Sequence, residues 1–128
     1  MFRSKVSVLV VEDMPQARAT AVSIMEDLGC EVFDAYNGHQ ALKLLQAHPE
    51  IELLFADVRM PGMSGLDLAL EVRRSWPNLP ILLMSAFEPP EFGSTHAGLV
   101  DVPLLRKPFT NDDLLRLVGE LLPSPTGR

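Results

Sequence analysis

Five polar side chains stand at the ends of short apolar runs. Glu12 and Asp13 close Val6–Val11, Asp57 follows Ile51–Ala56, Ser85 follows Ile81–Met84, and Lys107 lies just past Val102–Leu105. Three carboxylates brought into one crevice repel one another, at a cost on the order of several kcal/mol if all are ionised without a counterion. A hard divalent cation offsets that repulsion, and an oxygen-only ligand set suits Mg²⁺ or Mn²⁺. Mg²⁺ keeps several waters and takes one or two carboxylates together with a phosphate oxygen. Lys107 supplies one ammonium at the same edge, within reach of a phosphoryl oxygen or of Asp57. Pro108 follows it, and a cis Lys-Pro bond, accessible only before proline, would aim the ammonium inward. The Ser85 hydroxyl has one hydrogen bond to donate to a phosphoryl oxygen. Taken singly, each residue has a plainer reading: a solvated loop and helix cap at Glu12 and Asp13, a surface lysine, a strand terminator at Ser85. Their joint placement at strand ends is what favours a site.

The elements that must position these groups are legible as patterns. Val6–Val11 is a nearly continuous apolar run, as in a parallel strand buried on both faces. Pro15 suits the first turn of a helix whose apolar residues (Ala17, Ala21, Ile24, Met25, Leu28) recur at helical spacing until Gly29. Glu31–Ala35 reads as a second strand, Asn37-Gly38 as the turn opening a second helix that Pro49 ends, and Ile51–Ala56 as a third strand. Met60-Pro61-Gly62-Met63-Ser64-Gly65 is a loop by composition, with Ser64 placed to cap a helix from Leu66 to about Ser75. Ile81–Met84 and Val102–Leu105 are the fourth and fifth strands. Between them Pro89, Pro90, Gly93 and Gly98 leave room only for a short or irregular helix. Thr110 or Asn111 caps a last helix with an apolar stripe of Leu114, Leu115, Leu117, Val118, Leu121 and Leu122. Residues 1–122 form one domain, and 123–128 a flexible C-terminal tail.

Strands alternating with helices predict an α/β fold with a parallel sheet covered on both faces. Right-handed crossovers make the flavodoxin-like, doubly wound order 2-1-3-4-5 the leading topology. In such sheets ligands bind outside the carboxyl ends of the strands, where the five polar residues fall.

Bulk properties narrow the function. The 128 residues, 47% hydrophobic and 22% charged, suffice for one packed domain. A net charge of −6 disfavours nucleic acid and anionic lipid and favours cations. The single cysteine, Cys30, excludes an intramolecular disulfide and reads as a small packed thiol. No apolar run reaches the roughly 18 residues of a membrane helix, and Met1–Lys5 is too short for a signal peptide, so a soluble cytoplasmic protein is expected.

Four stretches together resemble the receiver domain of two-component response regulators: Val8-Leu9-Val10-Val11-Glu12-Asp13, Asp57-Val58-Arg59-Met60-Pro61-Gly62-Met63-Ser64-Gly65, Leu83-Met84-Ser85-Ala86 and Lys107-Pro108-Phe109. The resemblance covers nearly the whole chain. It implies that Asp57 is the phosphoacceptor, that Asp13 binds Mg²⁺ directly and Glu12 through water, and that the Arg59 backbone carbonyl is a further ligand. It implies that Ser85 hydrogen-bonds the phosphoryl group and Lys107 pairs with it. The implied partners are a histidine kinase or histidine phosphotransfer protein and a downstream protein target. Docking is expected near Met14, Pro15, Arg18 and Lys107-Pro108-Phe109. Such a domain assists its own phosphorylation and dephosphorylation rather than acting as an enzyme on separate substrates. Arg59 and Phe87 would flank the path of a hydrolytic water.

The sequence departs from the family pattern at Leu105, where receivers often carry a rotating Tyr or Phe. The Pro- and Gly-rich stretch from Glu88 to Gly98, with Lys107-Pro108-Phe109-Thr110 after it, is more similar to receivers attached to hybrid histidine kinases. A stand-alone receiver, or a degenerate one that only mediates protein contacts, is the alternative. A haloacid dehalogenase-type phosphatase favours an Asp two residues after its nucleophile, where this chain has Arg59. A flavodoxin-like cofactor binder needs a phosphate-cradling loop after strand one, where Glu12-Asp13-Met14-Pro15 would repel phosphate.

Overall fold

The computed structural model describes residues 6–86 and 101–122. Strands β1 (Ser7–Val11), β2 (Glu31–Ala35), β3 (Ile51–Asp57), β4 (Ile81–Ser85) and β5 (Leu104–Arg106) form one all-parallel sheet in the order β2-β1-β3-β4-β5. Among the described residues, helices α1 (Pro15–Asp27), α2 (Gly38–Ala47), α3 (Gly65–Ser75) and α4 (Asn111–Leu121) cover its faces. The order is the one the alternating pattern implies. The expected irregular helix near 88–98 and the tail 123–128 lie outside the described residues.

Alternation along each strand splits the core in two. Leu9, Val11, Leu54 and Ala56 face one way, packed with Ala41 and Leu45 of α2 and Leu68, Ala69 and Val72 of α3. Val8, Val10, Leu53 and Phe55 face the other way, packed with Ala21 and Met25 of α1 and Leu114 and Val118 of α4. Strands buried on both faces need apolar residues throughout, which is why β1, β3 and β4 read as continuous runs.

The helix starts follow local chemistry. The Asn37 side chain accepts from the Gln40 N–H at 2.8 Å, and Ser64 Oγ from the Asp67 N–H at 3.1 Å. Thr110 and Asp113 form a reciprocal capping box. Helix α1 has no side-chain cap and relies on Pro15 in its first turn.

Two expectations are corrected. Strand β5 spans Leu104–Arg106, not Val102–Leu105. Pro103 has no N–H to donate, although its carbonyl accepts from the Leu83 N–H at 3.1 Å, so the ladder begins one residue later. On α4, Leu114 and Val118 are buried, four residues apart, whereas Leu115 is turned about 100° from Leu114 and is 53% exposed.

Gly65 brings α3 tight against the end of β3. Its N–H donates to the Val58 carbonyl at 2.9 Å. A Cβ there would run into the Asp57 carbonyl oxygen and lie 2.8 Å from both the Asp57 carbonyl carbon and Val58 Cα, all of it backbone. Gly65→Ala is expected to destabilise the fold by about 1–3 kcal/mol, read as a lower midpoint of urea unfolding. An unchanged midpoint would show that the loop yields freely.

Candidate functional site

The carboxyl ends of β1, β3 and β4 and the segment after β5 meet at one edge of the sheet. Val11 is in register with Ala56, and Asp57 with Met84, so Glu12 and Asp57 emerge side by side from neighbouring strands. Asp13 follows on the loop into α1. Carboxylate oxygens of Glu12, Asp13 and Asp57 all lie within 4.8 Å of one another, and among the described residues this group is the one able to hold a metal ion. Ser85, fully buried, ends β4 one residue beyond the Met84 that pairs with Asp57.

Lys107 reaches this cluster across the sheet. Its Nζ lies 3.3 Å from Asp57 Oδ2 and 3.4 Å from Glu12 Oε1. Its backbone N–H donates to the Ser85 carbonyl at 2.8 Å, which anchors the lysine to the end of β4. The Lys107–Pro108 peptide is cis. Phe109 packs edge-on against Phe55 at a centroid distance of 6.2 Å, so the same loop is also tied to the core.

Backbone donors complete the arrangement. The Arg59 N–H donates to Asp57 Oδ1 at 3.3 Å, and the Met14 N–H to Glu12 Oε2 at 3.2 Å. Glu12 is 1% and Asp57 6% exposed. Burial pushes the Glu12 carboxyl up from 4.5 to about 7, with neighbouring Asp57 adding to the rise and the Met14 N–H and Lys107 opposing it. Burial alone would lower Lys107. Asp57 and then Glu12 more than offset it, so its pKa is raised and the ammonium keeps its charge.

The donor set fits a hard divalent cation. With every carboxylate ionised, the three acids and one ammonium carry a formal charge of −2. One oxygen from each acid lies within 4.8 Å of the others, on the scale of the roughly 4.2 Å across an Mg²⁺ octahedron. Every candidate side chain ligand is an oxygen, as Mg²⁺ requires.

In the sequence alone Arg18 stands only as possible surface for a partner. Its Nη1 donates to the Glu12 carbonyl at 2.9 Å, and its Nε pairs with Asp34 Oδ2 at 3.2 Å. The available signal was its place one helical turn after Met14, on the helix that leaves the acidic pair.

Comparison with known proteins places this geometry in a family. The profile of the response regulator receiver domain matches residues 8–119. The sensor kinase CckA of Brucella abortus is 29% identical over 117 residues, which cover 91% of this chain and 12% of the kinase. The chain thus spans only a small part of that relative. Protein PilG of Pseudomonas aeruginosa is 28% identical over 123 residues, covering 93% of this chain and 89% of PilG. Response regulator TrrA of Thermotoga maritima, solved in complex with Mg²⁺-BeF, superposes with a TM-score of 0.82 at 31% identity, covering 91% of this chain and 99% of TrrA. With a matching profile over most of its length and the same fold around an acidic strand-end cluster, this chain belongs to the response regulator receiver domain family.

Proposed function

We propose that the domain accepts a phosphoryl group on Asp57 from the phosphohistidine of a histidine kinase or histidine phosphotransfer protein, with Mg²⁺ bound, and changes conformation in response. The observation that carries this reading is the convergence of Lys107 and two further carboxylates, Glu12 and Asp13, on Asp57. Asp13, Asp57 and the Arg59 backbone carbonyl would hold the ion, with Glu12 acting through water. Mn²⁺ is a second ion that the same oxygens suit. When bound, the metal neutralises charge on Asp57 and on the phosphoryl oxygens.

Asp57 Oδ forms the new P–O bond as the P–N bond of the phosphohistidine breaks, and the imidazole leaves with the electron pair. Lys107 pairs with the phosphoryl group once its partner carboxylate has become an acyl phosphate, and Ser85 donates to another phosphoryl oxygen. Phosphoryl transfer asks mainly for positioning and charge neutralisation, and these residues supply both. A groove of about 480 Å³ beside the site, lined by Ala17, Thr20, Ile24, Pro108 and Phe109, is where the phosphohistidine-bearing partner docks. No helix among the described residues is long and apolar enough to cross a membrane. A cytoplasmic location accords with kinase partners, whether the domain stands alone or is joined to a hybrid kinase.

Incubation with acetyl phosphate and Mg²⁺, followed by mass spectrometry, is expected to give one hydroxylamine-labile phosphoryl group per chain. Asp57→Asn should abolish it and Lys107→Ala should slow its formation. Phosphorylation that survives Asp57→Asn would overturn the assignment, and none in the wild type would favour a domain that acts through protein contacts alone. Arg59 lies two residues beyond the phosphoacceptor, where a bulky side chain screens the acyl phosphate from water. Arg59→Ala is therefore expected to shorten the phosphate lifetime, read from the decay of the labelled protein, and an unchanged lifetime would remove that role. Phe87, given the same role, lies outside the described residues.

Glu12 makes the site pH-dependent. Its folded-state pKa of about 7 is above its ordinary 4.5, so its contribution to stability is present below 4.5 and lost as pH rises through 7. Metal-free protein should lose a few kcal/mol of stability relative to Glu12→Gln between about pH 5 and about pH 8. Mg²⁺ competes with the same proton, so its apparent affinity should rise over that interval in the wild type and stay flat in Glu12→Gln. Parallel pH profiles of the two proteins, by calorimetry and thermal melting, would contradict this.

A further inference from the structure

Glu12 is held through each of its polar groups. Its N–H donates to the Ala35 carbonyl at 3.1 Å, and its carboxylate accepts from the Met14 N–H and lies beside the Lys107 ammonium. The remaining group, its carbonyl, accepts from Arg18 Nη1 at 2.9 Å. The same guanidinium pairs through Nε with Asp34 Oδ2 at 3.2 Å, on β2. Arg18 is itself fixed one turn into α1, where its backbone N–H donates to the Met14 carbonyl at 2.8 Å.

A guanidinium is planar and presents its donors in a rigid fork, so a carboxylate anchored on one donor sets the direction of the others. The carbonyl of Glu12 and the N–H of Asp13 belong to one rigid peptide plane. Holding that carbonyl therefore holds the plane from which the Asp13 side chain departs. As a stability device the Arg18–Asp34 pair is weak, because Asp34 is 52% exposed and such pairs contribute little. Its distinctive effect is on direction.

We propose that Arg18, braced by Asp34, is a positioning residue for the metal site: it orients the Glu12–Asp13 peptide so that the Asp13 carboxylate faces Asp57. The inference rests on the reading of Asp13 as a metal ligand. Residues that orient metal ligands from outside the coordination sphere commonly change metal affinity by about 10–100-fold when replaced.

The test titrates Mg²⁺ alone into the full chain by calorimetry, for wild type, Arg18→Ala, Arg18→Lys and Asp34→Asn. Phosphorylation by acetyl phosphate is measured over the same Mg²⁺ range. The Mg²⁺ Kd and the half-saturating Mg²⁺ concentration should rise about tenfold in Arg18→Ala, while the rate at saturating Mg²⁺ stays within about twofold of wild type. Arg18→Lys, which keeps the charge but reaches one acceptor at a time, should fall between and carries the test if the alanine variant does not fold. Asp34→Asn should show a smaller shift in the same direction. Failure of the wild type to bind Mg²⁺ would overturn the metal-site reading itself. A wild type that binds beside variants with unchanged Kd, or with only a lower melting temperature and saturating rate, would overturn the role of Arg18 alone.

Discussion

The arrangement depends on like charge held together. Three carboxylates crowd one edge of the sheet, with Glu12 and Asp57 almost fully buried, and one ammonium faces two of them at 3.3 and 3.4 Å. A lone lysine cannot balance three acids. Burial penalises the charge of Glu12 and neighbouring Asp57 adds to the penalty, so its carboxyl is pushed to about 7. A divalent cation removes the repulsion, and a phosphoryl group adds charge that a cation and Lys107 together can accept. On the proposed reading, metal, lysine and phosphoacceptor would be linked parts of one electrostatic device.

The rest of the fold serves to bring these charges close and keep them there. Parallel strands place every carboxyl end on one edge, and the order β2-β1-β3-β4-β5 sets β1 and β3 side by side, so that Glu12 and Asp57 become neighbours. Gly65 lets α3 begin close under Asp57, and the Val58 N–H bond to the Met84 carbonyl at 2.9 Å fixes the strand end. Phe109 against Phe55 and the Lys107 N–H against Ser85 hold the lysine loop from both ends.

Much of this was legible in the sequence because it depends on residue type and order. Buried parallel strands must be apolar throughout, so the runs Val6–Val11 and Ile51–Ala56 announce themselves, and the polar residue that ends each run marks the edge where the acidic cluster forms. Ser64 is legible as a cap, and Thr110 as one of two candidates beside Asn111, because the same side chain chemistry recurs at helix starts, whereas Asn37 reads only as the turn before α2. Other features depend on three-dimensional approach and leave no local trace. The need for Gly65 arises from the backbone of Asp57 and Val58, which only the folded turn brings near. Leu115 looked like part of the core stripe because its type matches, but position on the helix, not type, decides burial. The Arg18 contact with Asp34 joins α1 to β2, and nothing in either segment alone announces it. The elevation of Glu12 likewise comes from burial by surrounding elements rather than from its neighbours in sequence.

The central claim is that the acidic edge is a working cation and phosphoryl site. The most direct test follows backbone amide shifts by NMR while Mg²⁺ and then beryllofluoride, a phosphoryl mimic, are added to wild type and Asp57→Asn. The account predicts that Mg²⁺ alone perturbs Glu12, Asp13 and Asp57. It further predicts that beryllofluoride extends the shifts to Ser85 and Lys107 only with Mg²⁺ present, and not at all in Asp57→Asn. Shifts that appear without Mg²⁺, or that persist in the variant, would contradict it.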